Sequence, residues 1–129
     1  MMLNTSHTPR VLVVDDELLI RWALREALEA RGYAVSEAAD AAAARSAMAD
    51  NRAQPDAVVL DYRLPDSNDL SLLSAIRRGA PATRVIMMTA YGTDEMIRGA
   101  LDLGAYRVVS KPFAVDQMAD LVAAALASA

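Results

Sequence analysis

Cysteine is absent from the 129 residues, which excludes disulfides, thiol catalysis and thiolate metal sites. The chain therefore fits a reducing compartment, and the cytoplasm is the expected location. No apolar run approaches the roughly 18 residues of a membrane span, and Met1 to Pro9 lacks the basic region and apolar stretch of a signal peptide. Residues 1–9 read as a loose tail, and the chain's one histidine, His7, falls in it as a solvated residue rather than the phosphohistidine of a kinase. A basic excess is also missing. A formal charge of −4 and a pI near 4.9 would repel a phosphate backbone, whose binding needs clustered Lys and Arg, so direct nucleic-acid binding is not expected. Internal repeats and low-complexity linkers are lacking as well.

What is present is a chain that is 54% hydrophobic and 23% charged, which suits one soluble domain with a sizeable core, expected over residues 10–127. Its apolar residues fall into short runs, each ending in a chemically active side chain. Val11-Leu12-Val13-Val14 leads into Asp15-Asp16, Ala57-Val58-Val59-Leu60 into Asp61, Val85-Ile86-Met87-Met88 into Thr89, and Val108-Val109-Ser110 into Lys111. Helical stretches separate these runs, as they would separate the strands of a parallel sheet. Such strands point the same way, so the residues past their C-terminal ends share one edge, where open α/β sheets place ligand sites. Three carboxylates, a hydroxyl and an ammonium would meet there.

Between Glu17 and Arg31, Ile20, Ala23, Leu24, Ala27 and Leu28 recur at helical spacing, Arg21, Arg25, Glu26 and Glu29 take other faces, and Gly32 marks the stop. Trp22 falls off the inward stripe and is expected to be partly exposed. Tyr33 to Ala38 reads as a second strand, followed by an Ala-rich helix that Asp40 can cap and that runs to about Asp50. A loop with turn residues separates Asp61 from a helix containing Leu70, Leu72, Leu73 and Ile76 and ending at Gly79. Thr93 can cap a helix closed by Gly104. After Pro112 a last amphipathic helix carries Met118, Leu121, Val122, Ala125 and Leu126 to the chain end. Met87, Met88, Met96 and Met118 read as core filler. Five strands alternating with five helices predict an α/β, doubly wound parallel sheet, either a free-standing domain or the front of a longer protein.

Each site residue also has a plainer reading. Adjacent acids such as Asp15-Asp16 often cap a helix, threonine is common in strands for steric reasons, and most lysines lie at the surface. Asp61 changes the balance. Three carboxylates on one edge raise each other's pKa unless a cation neutralises them, and an all-oxygen cluster suits magnesium. Such a metal could hold a phosphate beside Asp61, whose carboxylate can act as a nucleophile and form an acyl phosphate. Thr89 could donate to a phosphoryl oxygen, and Lys111 could offset its charge. The residue before Pro112 is held extended, and the Lys111-Pro112 bond is a candidate for the cis form.

In order, the motifs VLVVDDE with IRWALREALEARGY, VVLDYRLPD, VIMMTAYG and SKPF resemble the receiver domain of two-component response regulators, most like the receivers of enhancer-binding (NtrC-type) transcription activators. The match covers nearly all of Arg10 to Leu126. The resemblance implies a flavodoxin-like strand order 2-1-3-4-5. It implies Asp61 as phosphoacceptor and Asp15, Asp16, Asp61 and the backbone carbonyl of Arg63 as Mg2+ ligands, with Thr89 as switch hydroxyl and Lys111 as phosphoryl partner. It further implies a sensor histidine kinase as partner and an output surface on the fourth helix, fifth strand and fifth helix, open to a homodimer or an attached C-terminal effector domain. Such a domain signals, catalysing only its own phosphotransfer and dephosphorylation.

Four positions depart from the family pattern. Val108 replaces the usual aromatic, which points to an altered switch; Tyr106, expected on the same strand face, or Tyr91 would be its substitute. Arg107 replaces a frequent Asp. Asp69 replaces a glycine in a turn that aspartate can also adopt. Ala114 replaces a capping Asp, which predicts a weaker start to the last helix.

Three alternatives remain. A phosphorylation-independent receiver would follow from Val108. A small phosphatase would use Asp61 as nucleophile, although Arg63 stands where such enzymes place a second acid. A flavin carrier would share the sheet but needs a hydroxyl- or glycine-rich phosphate loop after the first strand, where this chain has Asp15-Asp16.

Overall fold

A computed structural model describes residues 7–128; the first six positions of the expected tail lie outside the described residues. The elements alternate strictly: β1 (Arg10–Val14), α1 (Leu18–Glu29), β2 (Ala34–Ala38), α2 (Ala41–Met48), β3 (Ala57–Asp61), α3 (Ser71–Gly79), β4 (Arg84–Thr89), α4 (Asp94–Asp102), β5 (Arg107–Ser110) and α5 (Val115–Ala127). All strand pairs are parallel, in the order β2-β1-β3-β4-β5. This is the doubly wound sheet that the alternation of runs predicts.

The three central strands are apolar at nearly every position because each side of the sheet is covered, which removes the polar alternation of a half-exposed strand. Successive side chains still go to opposite faces. Leu12, Val14, Val58, Leu60, Val85 and Met87 pack on one face with Ala44 of α2, Leu73 and Ile76 of α3 and Ala100 of α4. Val11, Val13, Val59, Ile86 and Met88 pack on the other with Leu24 and Leu28 of α1 and Met118 and Val122 of α5. Met87, Met88 and Met118 are buried, and Met96 packs against the first cluster from its edge. Trp22 stays 59% exposed.

Caps follow the sequence in part. Asp40 accepts from Ala43 N (2.8 Å) and Thr93 Oγ1 from Met96 N (3.1 Å), whereas Ala114 gives α5 no side-chain cap. A second carboxylate reaches α2 from far along the chain: Asp66 accepts from Ala41 N at 2.8 Å and Ala42 N at 3.0 Å. Those amides hold its carboxyl below the ordinary range. The loop after β3 is thereby tied to the start of α2.

One face assignment is corrected. Tyr106 packs with Val109 against the α1/α5 cluster, while Val108 packs against the opposite one. The period-two rule holds only inside a strand, and Tyr106 precedes β5, in the bend that follows Gly104 at φ +103°. Its ring lies instead under the Arg107 guanidinium, 5.2 Å from centroid to Cζ. Tyr106 therefore does not share the face of Val108.

Gly32 (φ +90°) and Gly104 end α1 and α4 in backbone conformations that a β-carbon disfavours. A β-carbon at Gly32 would meet open space, whereas one at Gly104 would lie 2.7 Å from Arg77 Nε. Arg77 donates to the carbonyls of Pro81 (2.9 Å) and Thr83 (2.6 Å). Gly32→Ala is expected to cost about 1–2 kcal/mol, and Gly104→Ala to cost more by about the worth of one strained hydrogen bond, roughly 1 kcal/mol. Urea midpoints of the two variants check this; equal midpoints would remove Arg77 from the account.

Candidate functional site

The register brings the strand ends together. Val14 pairs with Leu60, Asp61 with Met88, and Thr89 with Ser110, so Asp15, Asp61, Thr89 and Lys111 emerge side by side from β1, β3, β4 and β5. Backbone bonds extend the pairing past the strands: Asp15 N donates to Ala38 O (3.1 Å), Tyr62 N to Met88 O (2.8 Å) and Lys111 N to Thr89 O (2.8 Å). The Lys111-Pro112 peptide is cis.

Asp15, Asp16 and Asp61 each offer an oxygen within 4.8 Å of the others. Asp15 is wholly buried, Asp61 and Thr89 nearly so, and Asp16 is exposed. The Lys111 ammonium lies between the two buried acids, 2.9 Å from Asp15 Oδ2 and 3.1 Å from Asp61 Oδ2, with Glu17 Oε1 at 3.5 Å. Burial works against the Lys111 charge, but the hydrogen bond to Asp15 and the charges of both acids leave its pKa above the ordinary value. Asp61 carries the opposing cost. Burial, then the charge of Asp15, push its carboxyl up to about 6, and Lys111 and the Arg63 amide (3.3 Å) recover only part of that rise.

Asp15 Oδ1 accepts from Glu17 N (2.9 Å), and Thr89 Oγ1 accepts from Tyr91 N (3.3 Å), which leaves the threonine O–H to donate. Tyr91 is 87% exposed at the mouth of the recess, which measures about 480 Å³ and is lined by Asp16, Asp61, Arg63, Thr89 and Lys111 as well. Val108 is half-buried and packs against the α2/α3/α4 side of the core, beside Met87, its partner in register. Asp69 accepts from Ser71 N (2.9 Å), the first residue of α3, while the cap position itself is Leu70, which gives no side-chain bond. One ammonium against three carboxylates leaves a deficit of positive charge, and an all-oxygen donor set suits a hard divalent cation. The residues present therefore fit such an ion.

Two contributors lie inside the quoted motifs, which do not display their contacts. Glu17, read only as the start of a helix, approaches Lys111. Arg21, read as an outward charge, turns back to donate to the Asp15 carbonyl at 2.7 Å. Its position one turn before Arg25 on α1 was visible, but the acid that binds both, Glu37 on β2, lies across a register that the sequence does not display.

A family described as "Response regulator receiver domain" matches residues 11–123. Sporulation initiation phosphotransferase F of Bacillus subtilis (strain 168) is 35% identical over 113 residues, 88% of this chain and 90% of that protein. The DNA-binding transcriptional regulator NtrC of Proteus hauseri is 35% identical over 116 residues, which are 90% of this chain but 24% of that protein. Among solved structures, a CheY-like response regulator receiver domain protein from Methanospirillum hungatei JF-1 superposes with a TM-score of 0.87 at 27% identity, over 93% of this chain and 94% of that one.

The raised Asp61 pKa sets a sign for stability. Below the ordinary value of 3.8 the carboxyl is neutral folded or unfolded, and above about 6 the fold bears the full cost of ionising it, about 3 kcal/mol without a metal. Asp61→Asn removes that cost. The metal-free variant is expected to gain stability over wild type as pH rises from 4 through 6, with little difference at the acid end. Urea unfolding across this window in the presence of EDTA measures the gap; a gap that shrinks with rising pH contradicts the assignment.

Proposed function

The chain belongs to the response regulator receiver family of two-component signalling, and from that premise we propose that it accepts a phosphoryl group on Asp61 from a sensor histidine kinase. The observation that carries the reading is the shared ammonium: Lys111 stands within 3.1 Å of the carboxylate that would react and of the one beside it. Asp15, Asp16, Asp61 and the backbone carbonyl of Arg63 would hold Mg2+. When bound, that ion supplies neutralising charge and orients the phosphoryl oxygens.

The chain's own groups do the rest. One Asp61 oxygen attacks phosphorus as the bond to the donor nitrogen breaks, and that nitrogen keeps the electron pair. Lys111 turns from the carboxylates toward a phosphoryl oxygen, where its charge is most useful as the transferring group loosens. Thr89 donates its O–H to another. The product carries about −1.5 to −2 charges where Asp61 stood, and drawing Thr89 inward would pull on Tyr91 and the segment leading into α4. The switched surface in this reading is α4, β5 and α5, available to a second copy or to a C-terminal effector domain. Val108 offers no ring to follow Thr89, which leaves Tyr91 as the aromatic nearest the switch.

Leu18, Leu19 and Trp22 are exposed on α1, beside a largely apolar groove of about 560 Å³ that reaches Lys111 and Phe113. The groove shares Glu17, Tyr91 and Lys111 with the recess that holds Asp61, so a phosphodonor protein docked on it would lie next to Asp61, and such a face suits a kinase better than a nucleic acid. Among the described residues no helix is long and apolar enough to cross a membrane, and a cytoplasmic site of action goes with this reading.

Incubation with MgCl2 and acetyl phosphate is expected to raise the intact mass by one phosphoryl group in wild type and not in Asp61→Asn, with EDTA abolishing the gain. An unmodified wild type would leave a phosphorylation-independent receiver, which Val108 favours. Continuous release of phosphate from simple esters would indicate a phosphatase instead.

A further inference from the structure

Adjoining the acidic cluster, and outside the residues that line the recess, lies an ion-pair network that the phosphotransfer steps do not use. Arg21 Nε meets Glu37 Oε1 at 3.0 Å, Arg25 Nε binds the other oxygen of Glu37, and Arg25 also reaches Glu29 at 3.1 Å. Glu37 sits on the edge strand β2 opposite Val13, two residues before Asp15. The hydrogen bond from Arg25, and then that from Arg21, hold the Glu37 carboxyl below its ordinary range against the effect of burial. The side chain of Arg21 is only 14% exposed. With one edge of its guanidinium fixed by Glu37, its NH1 donates to the Asp15 carbonyl at 2.7 Å.

We propose that Arg21 is a positioning residue for the metal site: by holding the Asp15 carbonyl it fixes the Asp15–Asp16 peptide, and so aims the exposed Asp16 carboxylate at the cation that Asp15 and Asp61 share. The inference rests on the metal-binding reading above. Asp15 needs little help, because its amide and both carboxylate oxygens are engaged by groups other than Arg21. Asp16 is different. Its side chain is solvated, and its direction depends on the peptide plane before it, one atom of which Arg21 grips. A planar fork can hold a carboxylate and a carbonyl together, which a lysine ammonium on its flexible stem cannot do in the same geometry. The guanidinium also places positive charge against the Asp15 backbone, outside the residues that line the recess.

Arg25 provides the internal control. It binds the same Glu37 but donates to nothing on the β1–α1 loop, so a merely scaffolding network would make Arg21 and Arg25 equivalent. Loss of an outer partner of a metal ligand costs about 10–100-fold in affinity, and the low end is expected here because one ligand of several is misdirected.

Calorimetric titration of the full chain with MgCl2 at constant ionic strength tests the proposal, with unfolding midpoints recorded in EDTA alongside. Arg21→Gln is expected to weaken Mg2+ binding about 10-fold, Arg21→Lys to weaken it nearly as much, and Arg25→Gln to lower the midpoint with Mg2+ affinity unchanged. Wild-type affinity in Arg21→Lys or Arg21→Gln overturns the positioning role, as does an equal loss of affinity in Arg25→Gln. Should Arg21→Gln fail to fold, the comparison of Arg21→Lys with Arg25→Gln decides. A wild-type protein that takes up no Mg2+ would instead strike at the metal-binding reading itself.

Discussion

Repulsion among acids forced together at the ends of β1 and β3 is the constraint around which the rest of this molecule is arranged. Parallel pairing leaves Asp15 and Asp61 adjacent and buried, where burial and then the charge of Asp15 oppose the ionisation of Asp61. Lys111, delivered from the end of β5, is the only ammonium that touches both among the described residues, and it cannot balance them together with Asp16. The remaining deficit is a cost to the metal-free fold and the source of its chemistry. In the proposed reading, the charge that destabilises the fold is also what would hold a cation, the trade of stability for function expected at a site of this kind.

Holding such a cluster open requires a stiff frame. The central strands are sealed on both faces, by α2, α3 and α4 on one side and α1 and α5 on the other, so the strand ends have little freedom to relax apart. The loops that complete the site are tethered as well. Asp66 pins the loop after β3 to the first turn of α2, and Arg21 pins the loop after β1 to the edge strand through Glu37. The segment after Thr89 has fewer restraints of this type. Its Tyr91 lies open to solvent and is linked to the site by one long bond to the threonine hydroxyl.

Much of this was legible in the sequence because the fold is written in periodicities. Runs such as Val11–Val14 and Val85–Met88, each ending in a reactive residue, specify parallel strands, and parallel strands specify one shared edge. Asp40, Thr93, Gly32 and Gly104 marked helix ends for local reasons that operate within a few residues. What could not be read depends on register and on the rotation of helices about their axes. Asp66 reaches α2 across 25 residues of chain, and the spacing of Arg21 on α1 alone does not distinguish an outward charge from one turned onto Glu37 and the Asp15 carbonyl. Tyr106 breaks the two-residue period because it lies before the start of β5, in the bend that precedes the strand.

The central claim is that Asp61 ionises with difficulty until a divalent cation arrives. Carbon-detected NMR titration of the Asp61 side-chain carboxyl, without and with saturating MgCl2, measures this at the atom concerned. The account predicts a midpoint near 6 in the absence of metal and a fall well below it when Mg2+ is present. A midpoint in the ordinary aspartate range that does not respond to Mg2+ would contradict it.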